Sequence, residues 1–127
     1  MSLLGARLAR VAPGEVDVEL PFRADLVQQH GYLHAGVTTA IADSACGYAA
    51  LSVMPEDAAV LSVEYKVNML APAAGRRFLA QGRVVRSGRT ITVIRGEMIA
   101  FDENDDARPV LAMLGTMMAV RGRGFVD

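Results

Sequence analysis

The architecture of this chain depends on one segment, Gln28-Gln29-His30-Gly31-Tyr32-Leu33-His34-Ala35-Gly36-Val37-Thr38-Thr39-Ala40-Ile41-Ala42-Asp43. Its first half holds amides, histidines and glycines, a composition typical of a loop. Its second half begins an apolar run, which predicts one long helix over residues 35–53 that Pro55 ends. The start of such a helix presents free backbone N–H groups and a positive dipole end, both of which favour an anionic oxygen.

Asp43 interrupts the apolar run two turns into the predicted helix, where its neighbours are Ile41, Ala42, Ala45 and Cys46. An aspartate at such a position has poor helix propensity and a desolvation cost. We therefore predict a functional carboxylate that the helix buries. A structural aspartate bonded to a backbone group or to a serine is the alternative.

The composition limits the class of protein. The chain has 127 residues, of which 52% are hydrophobic and 21% charged, a balance that predicts one globular domain over residues 1–127. Its formal net charge of -1 provides no cationic field for nucleic acid or for an anionic membrane, so we expect neither as a partner. One cysteine excludes an intramolecular disulfide, and neither a membrane-spanning run nor a secretion signal is evident, so we expect a cytoplasmic protein.

Around the helix, alternating and β-branched runs predict about six strands. Residues 7–12 and 15–20 flank Pro13-Gly14 as a hairpin, and residues 78–86 and 90–101 flank Ser87-Gly88 as another. Residues 60–69 predict a half-buried strand with one apolar face, formed by Leu61, Val63, Tyr65, Val67 and Met69. Residues 110–120 are apolar on both faces, as in a strand covered on each side, and residues 121–125 are expected to be a tail. A sheet of this size and an apolar helix predict an α+β fold in which the sheet wraps the helix.

Several short motifs occur together in a fixed order. His34-Ala35-Gly36 follows Gln28 by six residues and precedes Asp43 by nine; Leu61-Ser62-Val63-Glu64-Tyr65, Ala71-Pro72-Ala73 and Gly88-Arg89 come next. With this combination, over about residues 6–120, the chain resembles the hotdog-fold acyl-CoA thioesterases of the phenylacetate-pathway type, within the 4-hydroxybenzoyl-CoA thioesterase superfamily.

The resemblance implies a fold, an assembly and a set of site residues. It implies a sheet curled around the central helix, and a homodimer or a dimer of dimers in which active sites lie between subunits. It also implies an acyl-CoA substrate and no cofactor. By this resemblance, Asp43 matches the catalytic carboxylate, and the backbone N–H of Ala35 matches the group that polarises the thioester carbonyl. Gln28 matches an assisting amide, and Ser62 matches a hydroxyl that helps to hold water. The family usually has glycine at the position of Ala35, so we expect strain there if φ is positive.

Other candidate residues have weaker patterns. We expect His34 and Gly36 to lie against the substrate, with His34 also fixing the loop through hydrogen bonds. His30 is either a loop residue or a substrate contact, and Arg89 is a candidate for the coenzyme A phosphates. His30 and His34 are spaced i, i+4, but no third ligand lies nearby in the sequence, so we expect no metal. No histidine lies at a spacing from Cys46 that would indicate a catalytic pair, so Cys46 is interpreted as a core residue.

The predicted function is hydrolysis of an aromatic or medium-chain acyl-CoA to the free acid and coenzyme A. Asp43 acts either as a general base on water, which we favour, or as a nucleophile. Two alternatives remain open from the sequence. A hotdog dehydratase or hydratase would use a catalytic histidine such as His34, and a non-catalytic acyl-CoA sensor would keep the pocket but have no need of Asp43.

Overall fold

A computed structural model describes residues 1–122, so part of the predicted tail lies outside the described residues. The strands are β1 (Arg7–Ala12), β2 (Glu15–Pro21), β3 (Ala59–Met69), β4 (Arg77–Ser87), β5 (Ile91–Phe101) and β6 (Ala107–Val120). The long helix is α1 (Ala35–Leu51), and single 3-10 turns occupy Ser2–Leu4 and Ala24–Leu26. The strands form one antiparallel sheet in the order β1-β2-β4-β5-β6-β3, which confirms the predicted α+β architecture and both predicted hairpins.

The sheet curls around α1, which packs against β2, β3, β4, β5 and β6. Ile41, Ala45 and Ala49 are completely buried on this helix, because each lies three or four residues from the next and so faces the same sheet. Gly82 on β4 allows the closest approach: a Cβ atom there would overlap the backbone carbonyl oxygen of Ala45. A side chain at position 82 would therefore push the sheet away from the helix.

The helix ends at Leu51, two residues earlier than predicted. The Ser52 hydroxyl donates to the Ala49 carbonyl oxygen at 2.7 Å, and its oxygen accepts the Gly14 N–H at 2.8 Å. This serine therefore links the end of the helix to the turn between β1 and β2. Serine competes for backbone partners in this way, which is why it favours helix ends over helix interiors.

The predicted single apolar face of β3 is wrong, because a bulge interrupts the strand. Ser62 pairs with Met117 and Glu64 pairs with Thr116, which leaves Val63 as the extra residue. Since Met117 and Thr116 are adjacent on β6, their partners Ser62 and Glu64 face opposite sides of the sheet. Ser62 consequently shares the helix-facing side with the strand's later residues Tyr65, Val67 and Met69.

Strand β3 also lies at the edge of the sheet, so it is more exposed than a half-buried strand. Leu61, Val63, Tyr65 and Met69 are all exposed. On the neighbouring β6, the helix-facing Leu111 and Met117 are buried, whereas Leu114 on the outer face is 56% exposed. The prediction that β6 is covered on both sides is therefore wrong for a single chain. Among residues 1–122, no helix is long and apolar enough to span a membrane.

Candidate active site

The loop before α1 is held closed by its own backbone. Val27 and Leu33 form an antiparallel bridge, the Gln28 N–H donates to the Tyr32 carbonyl oxygen at 2.8 Å, and Gly31 adopts a φ of 86°. A positive φ favours glycine, so Gly31 is suited to this turn. The loop therefore fixes the position of Gln28 relative to the start of the helix.

The side chain of Gln28 is oriented by the same loop. Its carbonyl oxygen accepts the backbone N–H of His30 at 2.5 Å and that of Tyr32 at 3.4 Å. With the oxygen occupied in this way, the amide nitrogen of Gln28 remains available to donate to another group. Gln28 also lines a cavity beside the helix start.

His34 caps the helix. It has an extended backbone, with φ −60° and ψ 137°, and its ring nitrogen Nδ1 accepts the Gly36 N–H at 2.8 Å. The Nδ1 lone pair is therefore occupied by the helix cap. A Cβ atom at position 36 would lie 3.0 Å from Nδ1, so glycine at position 36 leaves room for the cap.

Of the N–H groups in the first turn of α1, that of Ala35 is the unpaired one. Gly36 donates to the His34 ring, and Val37 and Thr38 donate to the His34 carbonyl oxygen. Within residues 1–122 the Ala35 N–H has no acceptor. Ala35 does not have a positive φ, so the strain expected from replacing the family's glycine is absent. An alanine at this position keeps a free donor at the positive end of the helix dipole without strain.

Asp43 lies farther along α1 and faces β3. The Ser62 hydroxyl donates to its Oδ1 at 2.8 Å, and the Ser62 oxygen also lies 3.2 Å from the Met117 sulfur. Asp43 is only half-buried, which corrects the prediction that the helix buries it. The reason is that β3 ends the sheet, so nothing in the described chain covers the far side of the carboxylate. Ser62 reaches Asp43 because the bulge at Val63 turns it toward the helix.

Ala35 and Asp43 lie on separate parts of one chain. They are eight residues apart in the same helix, and at 1.5 Å per residue the helix rises about 12 Å between them. The oxygen of an attacking water lies only about 3–3.5 Å from the carbonyl carbon, so the donor to the carbonyl oxygen and the base must act at nearly the same place. The structure thus places Gln28, His34, Ala35 and Gly36 in one cluster and Asp43 with Ser62 in another.

The remaining predicted residues lie outside both clusters. His30 is exposed, and its backbone, not its ring, holds the Gln28 side chain. Arg89 is exposed in the turn between β4 and β5, two residues beyond Ser87. Residues Ser87, Thr92, Met117 and Ser62 are successive cross-strand partners. Arg89 therefore lies at the Ser62 end of the sheet, with β6 between its hairpin and β3. Within residues 1–122, no three potential metal ligands cluster.

Cys46 is fully buried on the sheet side of α1, as interpreted from the sequence. Burial raises the pKa of its thiol to about 12, and the negative charge of Asp43 acts in the same direction. A thiol with that pKa is protonated near neutral pH and is a poor nucleophile. Cys46 therefore contributes packing and no reactive group.

The sequence did not identify the cavity that adjoins Ala35. It has a volume of about 350 Å³. It is lined by Gln28, Tyr32, Leu33, Ala35, Thr38, Met69, Ala71, Pro72, Ala73 and Val110. Thr38 is buried at one wall, and its hydroxyl donates to the Ala35 carbonyl oxygen at 3.0 Å. The sequence signal that could have placed Thr38 at this cavity was its spacing of one helical turn from His34.

Comparison with known proteins places the chain in a family. The family model described as the thioesterase superfamily matches residues 30–107, which include Ala35, Asp43 and Ser62. The chain belongs to the thioesterase superfamily. The protein is thus a thioester hydrolase, and the resemblance to hotdog thioesterases is confirmed.

Individual relatives agree with this assignment. A crystal structure of a thioesterase family protein from Silicibacter pomeroyi is 48% identical, with a TM-score of 0.94 over 96% of this chain and 89% of that one. A putative esterase from Saccharolobus solfataricus is 32% identical over 84% of this chain and 76% of its own length. A 1,4-dihydroxy-2-naphthoyl-CoA hydrolase from Listeria monocytogenes is 27% identical over 71% of this chain and 73% of its own length.

Proposed function

We propose that this thioesterase hydrolyses aromatic or medium-chain acyl-CoA thioesters in active sites formed between two copies of the chain. The observation that carries the proposal is the Ala35 N–H, unpaired within residues 1–122, which lies at a helix N-terminus beside a mostly apolar cavity that Gln28 also lines. Two such donors suit the oxygen of a thioester carbonyl, which becomes anionic when the carbon is attacked. The Listeria relative, whose name specifies an aromatic acyl-CoA, supports the aromatic choice.

In the proposed reaction, the thioester carbonyl oxygen accepts hydrogen bonds from the Ala35 N–H and the Gln28 amide. Asp43 of the second copy removes a proton from a water molecule, whose oxygen attacks the carbonyl carbon. Ser62 donates to one Asp43 oxygen, which leaves the other oxygen for the water. The sulfur then leaves and takes the proton from Asp43, which yields the free acid and coenzyme A. Direct attack by Asp43 through a mixed anhydride is the other route that this geometry allows.

The exposed edge of the sheet supports an assembly of two copies. A long edge strand such as β3, which exposes several large apolar side chains, tends to pair with another chain. In an antiparallel pair of β3 strands, related by a two-fold axis, the Met69 end of one strand lies beside the Ser62 end of the other. Because Met69 lines the cavity beside Ala35, this pairing moves that cluster toward Asp43 and Ser62 of the second copy.

The helix surface near Asp43 has room for a second chain. Gly47 follows Asp43 by one turn, and a Cβ atom there would meet nothing within 4 Å. Tyr48 beside it is 43% exposed. Glycine in the middle of a helix costs about 0.5–1 kcal/mol relative to alanine, and no close contact within the described chain explains it. A partner or a substrate that approaches this surface explains it.

The arrangement of His34 argues against a dehydratase. Such an enzyme needs a histidine with a free nitrogen lone pair to remove a proton from carbon. The Nδ1 lone pair of His34 already accepts the Gly36 N–H, so this nitrogen cannot take a proton from carbon while the cap is in place. The Asp43–Ser62 pair likewise favours catalysis over a non-catalytic sensor, which needs no oriented carboxylate.

The test of the proposed activity is a thiol-release assay over acetyl-, hexanoyl-, decanoyl- and benzoyl-CoA. We expect the purified protein to release coenzyme A fastest from the aromatic or medium-chain members. The absence of thiol release from every member of the panel, by a folded protein, would reject the proposal. Fastest release from acetyl-CoA would instead reject the choice of acyl group.

We expect a dimer or a dimer of dimers in solution. Light scattering should give a mass of at least twice the 13.5 kDa of one chain. A charge on β3, such as Val63→Lys, should weaken the assembly and the activity together, because both depend on this edge. A monomer that hydrolyses acyl-CoA at the full rate would contradict the site between copies.

Replacing Gln28 should reduce kcat more than it raises KM, because its amide is aimed at an oxygen whose charge develops in the transition state. Gln28→Glu keeps an acceptor for the His30 and Tyr32 N–H groups but removes the donor, and we expect about a 10²-fold loss of kcat. Gln28→Ala should also lower kcat, and it loses the loop contacts in addition. Gln29→Ala, at the exposed neighbouring position, is the control. An effect on KM alone would make Gln28 a binding residue.

A further inference from the structure

The cavity beside Ala35 has an apolar and buried floor. Its deepest residues, Leu33, Ala73 and Val110, have exposed fractions of 3%, 9% and 1%. The Leu33 N–H donates to the Ala73 carbonyl oxygen at 3.1 Å, so the loop before α1 and the segment after β3 are joined at this floor. The positions of these side chains are therefore set by the fold.

The chemistry of the cavity suits only one of the two arms of an acyl-CoA thioester. The pantetheine arm carries two amides, and burying an amide without a hydrogen bond costs about 1–3 kcal/mol. On the cavity wall the Thr38 hydroxyl already donates to the Ala35 carbonyl oxygen, and the Gln28 amide is aimed at the thioester oxygen in the proposed mechanism. Tyr32 is the other residue of the lining with a side-chain hydroxyl, so an arm with two amides would find few partners in the cavity, whereas a hydrocarbon group would need none.

We propose that the acyl group enters this cavity and that Ala71 and Ala73 set the largest acyl group accepted. This inference rests on the proposed function and adds the position and size limit of the acyl group. Alanine has the smallest side chain that still has a Cβ atom, and two alanines flank Pro72 in the cavity wall. A larger residue at either position would extend into the space beside the Ala35 N–H.

The volume of the cavity fits an aromatic ring or a chain of several carbons. A protein cavity of about 150 Å³ is known to accept benzene. The cavity here has a volume of about 350 Å³, which leaves room for a ring and for further atoms next to the carbonyl carbon. An acetyl group would leave most of it empty.

The experiment compares Ala73→Leu and Ala71→Leu with Ala74→Leu, using kcat/KM for acetyl-, hexanoyl-, decanoyl- and benzoyl-CoA. Ala74 is adjacent in sequence but exposed, and it does not line this cavity. We expect either cavity substitution to lower kcat/KM for benzoyl- and decanoyl-CoA by at least about 10-fold relative to the shortest acyl group that is hydrolysed. The Ala74→Leu profile should remain that of the wild type.

Ala71 is only half-buried, so Ala71→Leu tests the proposal even if leucine at the buried position 73 prevents folding. Val110→Ala supplies the opposite change, because it deepens the floor and should shift the preference toward longer acyl groups. The inhibition constant of free coenzyme A should stay unchanged in all these variants, since coenzyme A has no acyl group.

Two results would overturn the inference. An acyl profile unchanged in both Ala71→Leu and Ala73→Leu would show that the acyl group lies elsewhere. An equal loss for every substrate, with weaker inhibition by free coenzyme A, would assign the cavity to the pantetheine arm. Either result is compatible with thioester hydrolysis by the wild-type protein, whereas a wild-type protein that releases no thiol from any substrate would reject the proposed function itself.

Discussion

Asp43→Asn should lower kcat for acyl-CoA hydrolysis by about 10³-fold while the protein remains folded and assembled. Asparagine has nearly the same shape as aspartate and retains an oxygen that accepts the Ser62 hydroxyl, so the contact of 2.8 Å between helix and strand is preserved. What the amide lacks is the ability to take a proton from water or to attack the thioester carbon. The loss should therefore appear in kcat, with a smaller change in KM.

Circular dichroism and light scattering should show that the Asp43→Asn protein matches the wild type in fold and mass. Asp57→Asn is the matched control, since Asp57 is an exposed carboxylate in the turn before β3 and has no proposed role. Turnover within a few-fold of the wild type would exclude Asp43 as both base and nucleophile. The Ser62 contact would then be a structural link between α1 and β3.

Local sequence signals were sufficient for most of the fold. The glycines and histidines before Ala35 marked the helix start, and the Pro13-Gly14 and Ser87-Gly88 pairs marked two hairpins, because these residues act through their own backbone conformations. The bulge at Val63 left no such signal, and the uninterrupted apolar alternation suggested a regular strand. Only the pairing with β6 showed that Ser62 faces the helix.

The loop motif and the cavity of the candidate site also differed in how far the sequence predicted them. Gln28 contacts His30, and His34 contacts Gly36, each over two residues, so the motif that forms these contacts is visible in the sequence. The cavity, in contrast, is assembled from the loop, the first turn of α1, the segment after β3 and β6. Contacts between such distant segments depend on how the sheet closes around the helix, which the spacing of residues does not specify.

Ala35→Pro should lower kcat by about 10²- to 10³-fold with little effect on folding, because it removes the proposed oxyanion donor and almost nothing else. Ala35 is the first residue of α1, a position where proline is common. Its φ is not positive, and the preceding His34 has the extended backbone that a following proline requires. The Ala35 N–H has no acceptor within the described chain, so its loss breaks no hydrogen bond there.

Ala35→Gly is the control for this substitution. It retains the N–H, so we expect activity within a few-fold of the wild type. Since φ at this position is not positive, the alanine is not strained there. Replacing it with glycine should therefore lower the free energy of unfolding by up to about 1 kcal/mol. A folded Ala35→Pro protein with normal turnover would rule out the Ala35 N–H as the oxyanion donor.

Mixing the two inactive chains tests whether the donor and the carboxylate come from different copies. In a dimer of one Asp43→Asn chain and one Ala35→Pro chain, one shared site carries both changes, and the other combines an unchanged Ala35 with an unchanged Asp43. We therefore expect the mixed dimer, purified with two different tags, to regain about half of the wild-type kcat although each parent is nearly inactive. A mixed dimer as inactive as its parents would mean that both groups act within one chain, despite the helical rise of about 12 Å between them.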